Sequence, residues 1–221
     1  MIHPQTLQYL SELNANNNRD WFAENKDRYD AVRKHNEKFI NKLIHELSAI
    51  DKDLQHLEAK DCVFRIYRDT RFGKDKTPYK TNMGAYMAKG GRKGIHAGYY
   101  LHMEPGASFL AGGLYVPEPN VLKAVRNEIV ALPDEFGKIV LDAKFVKLFG
   151  KLEGEQLKKT PTGFPKDFAH PEWLKLKSFN TMHSISDEQL LSDNFTSYAL
   201  EIFSAMLPLN RFFNQLIDDL V

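Results

Sequence analysis

Hydrophobic positions follow two different periods along the chain. Between Trp21 and Ile50 the residues Phe22, Tyr29, Val32, Phe39, Ile40, Leu43, Ile44, Leu47 and Ile50 recur at spacings of three, four or seven, which draws one stripe along a helix. Charged residues such as Glu24, Arg28, Lys34 and Lys42 fall between them and make its solvated face. Upstream, Pro4 to Leu13 reads as a shorter helix, and Asn16-Asn17-Asn18 as a loop whose side chains bond their own backbone. Asp20 is placed to cap the long helix. At Cys62 the period drops to two. Cys62, Phe64, Ile66 and Arg68 alternate with Val63, Arg65 and Tyr67, as the two faces of a strand do.

Further strands are expected over Asn82 to Ala88, Gly98 to Glu104 and Ala107 to Tyr115. The last two flank Pro105-Gly106, a dipeptide suited to the centre of a type II turn, so they form an antiparallel hairpin. After Pro117-Glu118-Pro119, Asn120 is placed to cap a helix that buries Val121, Leu122, Val125 and Ile129. Pro133 interrupts it, and Asp134 to Phe149 continues helically until Gly150 and Gly154. A proline-rich loop follows, then an alternation over Leu174-Lys175-Leu176-Lys177 that reads as one more strand. Ser186 to Gln189 has capping-box spacing, and the remainder is helical with an interruption at Pro208. Helices, then strands, then helices specify one α+β domain over residues 1–221, with a mainly antiparallel sheet and helices packed on one face.

Composition narrows the class. With 43% hydrophobic and 27% charged residues the chain is neither disordered nor collagenous. A single cysteine, Cys62, excludes an internal disulfide framework and points to a reducing, cytoplasmic setting. The chain shows no signal-peptide pattern and no run of apolar residues long enough to span a membrane, so a membrane association is not expected. Its eight histidines lack metalloprotease spacing, and Lys89 to Gly94 lacks a nucleotide fingerprint, so no metal site or cofactor is named.

Charge changes the picture more. The net charge is +1, yet residues 60–96 carry ten Lys or Arg against three Asp. Within this segment five cations and two carboxylates share the thirteen positions from Arg68 to Lys80. Arginine offers a planar fork for phosphate or carboxylate, and lysine a mobile point charge. The candidate ligand-binding residues are therefore Arg65, Arg68, Asp69, Arg71, Lys74, Asp75, Lys76, Tyr79 and Lys80. Asp69 and Asp75 would orient the cations, or one of them would act as a general base.

Three functions compete for this segment. It binds an anionic small molecule, phosphorylated ligands included; it tracks a nucleic-acid backbone while Tyr67, Phe72, Tyr79, Tyr99 or Tyr100 stacks on bases; or it is an internal ion-pair network of a structural or interaction protein. His102 shares a strand face with Tyr100 and Glu104, either as part of a site or as one of a row of surface residues. Cys62 is expected as a buried core thiol.

The run from Arg65 to Asn82, Arg-x-Tyr-Arg-Asp-x-Arg-Phe-x-Lys-Asp-Lys-x-Pro-Tyr-Lys-Thr-Asn, resembles the signature of a family of bacterial and fungal proteins catalogued as a domain of unknown function. Asn17 to Phe22 with Asn25, Lys26 and Tyr29, the hairpin from Gly98 to Pro117, and Pro161 to Leu174 resemble other blocks of the same family. The resemblance implies a cytoplasmic α+β domain. It implies no substrate, cofactor or catalytic residue.

Overall fold

A computed structural model describes residues 1–71 and 74–220. Phe72 and Gly73, the first of which was a candidate stacking residue, lie outside the described residues. The chain opens with α1 (Gln5–Ala15) and α2 (Arg19–Glu24). The cap of α2 is Asn18, whose side chain accepts from the Trp21 N–H at 2.9 Å, so Asp20 lies inside the helix and the cap comes two residues earlier than expected. Asn25 then breaks the expected long helix, and α3 (Lys26–Leu47) carries the predicted stripe inward.

The sheet has four strands, β1 (Met83–Met87), β2 (Gly98–Met103), β3 (Phe109–Leu114) and β4 (Phe179–Ser184), in the order β1-β2-β3-β4, every neighbour antiparallel. This is the expected α+β architecture. The turn between β2 and β3 forms as read: Gly106 takes φ +71° and the Ala107 N–H donates to the Glu104 carbonyl at 3.0 Å. Two strand expectations are corrected. Cys62 closes a one-turn helix, α4 (Ala59–Cys62), and residues 63–68 run extended with only isolated bridges. Leu174 and Lys175 belong to α8 (Pro171–Lys175), and the fourth strand begins at Phe179 instead. Leu174 and Leu176 are both buried, which imitates a strand face, but they are reached by a helix end followed by a bend.

Three helices fill the span after the hairpin: α5 (Pro119–Ala131), α6 (Pro133–Val140) and α7 (Ala143–Phe149). Pro119, and not Asn120, opens α5, its fixed φ suiting the first helical position where no N–H is needed. Asp142 splits the expected run by capping α7, accepting from the N–H groups of Lys144 and Phe145. Ser186 caps the short α9 (Asp187–Leu191) by accepting from the Gln189 N–H. Pro208 does not interrupt α10 (Phe195–Asp218). It sits on the exposed side, so the carbonyl it leaves without a partner faces water.

Helix α10 crosses one face of the sheet. Phe203 meets Tyr99 edge-on at 5.3 Å, and Phe213 lies 5.4 Å from Phe179. Asn214 takes both hydrogen bonds of the Ala97 backbone, at 2.8 and 3.1 Å, as a neighbouring strand would. Phe195 stacks on Phe39 and ties α10 to α3. Strand alternation sends Tyr86, Tyr100, His102, Phe109, Ala111 and Met182 to the opposite face, where all are half-buried. The candidate site lies where that face meets residues 63–81.

Candidate functional site

The basic segment hangs from the edge of the sheet by backbone bonds. The Phe64 N–H donates to the Gly84 carbonyl at 3.0 Å, which lays residues 63–68 beside β1. The chain then returns on itself: Lys80 N–H donates to Ile66 C=O at 2.8 Å and Arg68 N–H to Pro78 C=O at 2.9 Å. The base of this return is anchored in the core. Tyr79 is 6% exposed and stacks on Phe22 with ring centroids 4.0 Å apart. Asn17 clamps the Tyr79 backbone from both sides, donating to its carbonyl at 3.0 Å and accepting from its N–H at 3.1 Å. One asparagine of the 16–18 run thus bonds a backbone sixty-two residues away rather than its own.

Beyond Tyr79 the loop is closed by its own charges. Arg68 donates to the Asp75 carboxylate at 2.5 Å and also to the Thr77 hydroxyl. Asp75 in turn accepts from the Thr77 N–H at 2.9 Å and its hydroxyl at 2.8 Å. These bonds, the backbone one foremost, hold the Asp75 carboxyl down to about 2. Arg71 grips Asp69 with a fork, Nε to one oxygen at 3.0 Å and Nη2 to the other at 2.7 Å, and that grip lowers the Asp69 carboxyl. Lys76 donates to the Thr70 carbonyl at 2.8 Å, while Lys74 is exposed at the tip.

Arg65 and Lys80 differ. Among the described residues neither forms a salt bridge. The Lys80 ammonium lies 5.3 Å from the centre of the Phe64 ring, and its pKa is pushed down by burial and then by the charge of Arg65. The two cations therefore stand within electrostatic reach of each other.

On that segment's inner side is a cavity of about 280 Å³ between α3, residues 63–67 and β1. Its apolar lining includes Tyr29, Ile40, Ile66, Met83 and Met103. The cations Lys26, Arg33, Lys60, Arg65 and Arg92 stand around it with one carboxylate, Glu37. Three of the five are neutralised along the chain, Lys26 by Asp30, Arg33 by Glu37 and Lys60 by Glu58. Among the described residues Arg92 donates to the Lys60 carbonyl, and neither Arg65 nor Arg92 forms a salt bridge, although the Arg65 charge helps to lower the Asp69 carboxyl. Asn36, 4% exposed in the wall, accepts from Thr6 and spends its own N–H on the Met83 sulfur, a weak acceptor. A second hollow, of about 680 Å³, lies away from the basic segment between α6 and residues 165–170.

The open face of the sheet adds a cluster that the candidate list omits. Tyr100 Oη lies 3.0 Å from His102 Nδ1, His102 Nε2 lies 3.0 Å from Glu104 Oε2, and Thr81 donates to Glu104 Oε1 at 2.7 Å. A carboxylate can only accept, so Nε2 carries the imidazole hydrogen and Nδ1 receives the Tyr100 hydroxyl. Burial works against the Glu104 charge, yet the bonds from His102 and Thr81 lower its pKa on balance. Burial, reinforced by Glu104 and Tyr115, pushes the Tyr100 phenol up to about 12. His102 stacks on Phe109 at 4.5 Å, and Phe64 meets Tyr100 edge-on at 6.2 Å. The Tyr100 hydroxyl occupies the space where a side chain at position 84 would begin, so only glycine fits there; Gly84 also lines the cavity. The signal for this cluster was the placing of Tyr, His and Glu at alternate positions of one strand.

Elsewhere the sequence reading of Cys62 holds: it is buried, and burial pushes its thiol up to about 12. Tyr99 is buried against Phe203 and donates to Asp51, and Tyr79 is buried as well, so neither ring presents a face for stacking. Among the described residues, no group of three or more His, Cys, Asp or Glu could hold a metal ion, and no helix is long and apolar enough to cross a membrane.

No curated protein and no solved structure matches the chain significantly. A family of conserved hypothetical proteins, DUF2461, matches residues 5–212, so nearly the whole fold described above, from α1 into α10, is the family's own: the chain belongs to DUF2461.

Proposed function

We propose that the protein binds a small anionic ligand, a phosphate-bearing one foremost, along the extended segment 63–67 at the cavity it borders. The carrying observation is the pair Arg65 and Lys80, which form no salt bridge among the described residues, Lys80 lying beside the Phe64 ring and desolvated next to a like charge. Desolvating one cation next to another costs stability, and a bound anion removes that cost. Arg92 supplies a third charge at the cavity, and Phe64 and Tyr67 its aromatic edge. In this reading Arg68, Asp69, Arg71, Asp75 and Lys76 shape the loop, Tyr79 anchors it, and Lys74 is free to meet a ligand from the tip. The continuous core from Ile2 to Ile217 supports taking residues 1–221 as one domain, and the lone buried Cys62 supports a cytoplasmic setting.

The test is calorimetric titration and thermal shift with inorganic phosphate, pyrophosphate and 1-naphthyl phosphate at fixed ionic strength. A ligand at about 100 times its dissociation constant adds about 2.7 kcal/mol of stability. Arg65→Ala with Lys80→Ala is expected to abolish that gain while leaving the ligand-free melting temperature unchanged. A gain that survives the double variant overturns the reading. A second reading, single-stranded nucleic acid, is favoured by Phe64, Tyr67 and Tyr115, exposed at 37%, 45% and 74%. It requires binding of a labelled strand that weakens steeply with salt.

A further inference from the structure

We propose that Tyr100, His102 and Glu104 form a base-activated phenol, a nucleophilic site for an electrophilic phosphoryl or acyl centre presented at the open face of the sheet. The three groups stand in the order of a proton relay. Glu104 is fixed by Thr81, fixes the hydrogen on His102 Nε2, and so leaves Nδ1 as a free base 3.0 Å from the Tyr100 oxygen. The stack on Phe109 keeps the imidazole from turning away. This is the arrangement in which a carboxylate orients an imidazole and the imidazole takes a proton from an attacking hydroxyl. A phenol that stays neutral at rest needs such a base at the moment of attack. The hydroxyl lies over Gly84 on the open face of the sheet, where no side chain at position 84 covers it.

The step balances within the cluster and the incoming compound. The Tyr100 oxygen bonds to the electrophilic phosphorus or carbon, and the bond to the leaving group breaks with its electron pair. The phenolic proton passes to His102 Nδ1, and the imidazolium is held by Glu104. Lys80, over the Phe64 ring that meets Tyr100 edge-on, stands nearby, where charge on phosphoryl oxygens would be met. The inference goes beyond ligand binding and does not depend on it, because a neutral electrophile needs neither cation.

A neutral aryl sulfonyl fluoride therefore tests it, with modified tyrosines mapped by mass spectrometry. The same transfer applies: the phenol oxygen bonds to sulfur, fluoride leaves, and the proton goes to His102. Tyr100 is expected to react about a hundredfold faster than Tyr115, although Tyr115 is far more exposed. His102→Gln is expected to remove that advantage, and Glu104→Gln to reduce it, while circular dichroism and melting confirm that both variants are folded. The aryl phosphate titration serves as the control for the anion site, which these two variants should leave intact. Equal labelling of Tyr100 and Tyr115, or undiminished Tyr100 labelling in a folded His102→Gln protein, overturns the proposal. If His102→Gln does not fold, the Glu104→Gln rate and the wild-type ratio of Tyr100 to Tyr115 decide the matter alone.

Discussion

The loop from Arg68 to Thr77 and the wall formed by Arg65, Lys80 and Arg92 belong to one basic segment, yet they treat charge in opposite ways. In the loop each arginine has its own aspartate, Arg68 with Asp75 and Arg71 with Asp69, and Lys76 is spent on a backbone carbonyl. At the wall the cations have aromatic and apolar neighbours and, among the described residues, no salt bridge of their own. A compensated cluster fixes a shape; an uncompensated one stores a demand for an anion. The same residue types, a few positions apart, thus divide between architecture and recognition. Substitutions should separate the two by which quantity they change.

The largest effect is expected where the loop meets the core. Tyr79→Ala removes a buried ring stacked on Phe22 and should cost about 3–5 kcal/mol, read by chemical denaturation. If the loop were a detached, solvated decoration, the cost would be a fraction of that. Asn17→Ala should follow in the same direction with a smaller loss, since it strips both backbone bonds from Tyr79.

This division was only partly legible in the sequence. The stripe on α3, the β2–β3 hairpin and the charge density of 60–96 are local patterns, and all are present in the fold. What failed depended on distant partners. Phe179 to Ser184 has few β-branched residues and becomes a strand through pairing with β3, whereas the alternation at 174–177 finds no strand partner of that length. Pro208 stays in α10 because its solvent-facing position makes the missing bond cheap. At the site, spacing identified a run of cations but not which were paired. Arg68 reaches seven residues along the chain to Asp75, while Arg65, three residues earlier, forms no salt bridge among the described residues. Arg92 joins the cavity from beyond β1, which no local pattern announces.

The next effect in size tests the compensated side. Arg68→Ala should lower the ligand-free melting temperature by a few degrees and leave the response to 1-naphthyl phosphate in place, because it opens the loop without touching the wall. Smaller still is the stability change expected from the wall itself. Arg65→Ala and Lys80→Met should each alter stability by no more than about 0.5 kcal/mol, and Lys80→Met in the upward direction, since it removes a desolvated cation from beside another. A marked loss of stability from either would place the wall with the loop and dissolve the comparison.

The smallest and most specific effect is in pH. Asp75 is held down to about 2 in the fold against an ordinary value of 3.8, so it binds its proton less readily folded than unfolded. The stabilisation this represents is complete above the unfolded value and is lost as pH falls through the folded one. Asp75→Asn keeps the shape of the side chain and removes the charge. The gap in melting temperature between wild type and this variant should therefore be constant from neutral pH to about 5, narrow between 3.8 and about 2, and close below that. A gap that persists unchanged through this window would mean that Asp75 acts through the geometry of its bonds to Thr77 alone. The charge of Arg68 would then need no partner in the loop, and the contrast with Arg65 would lose its physical basis.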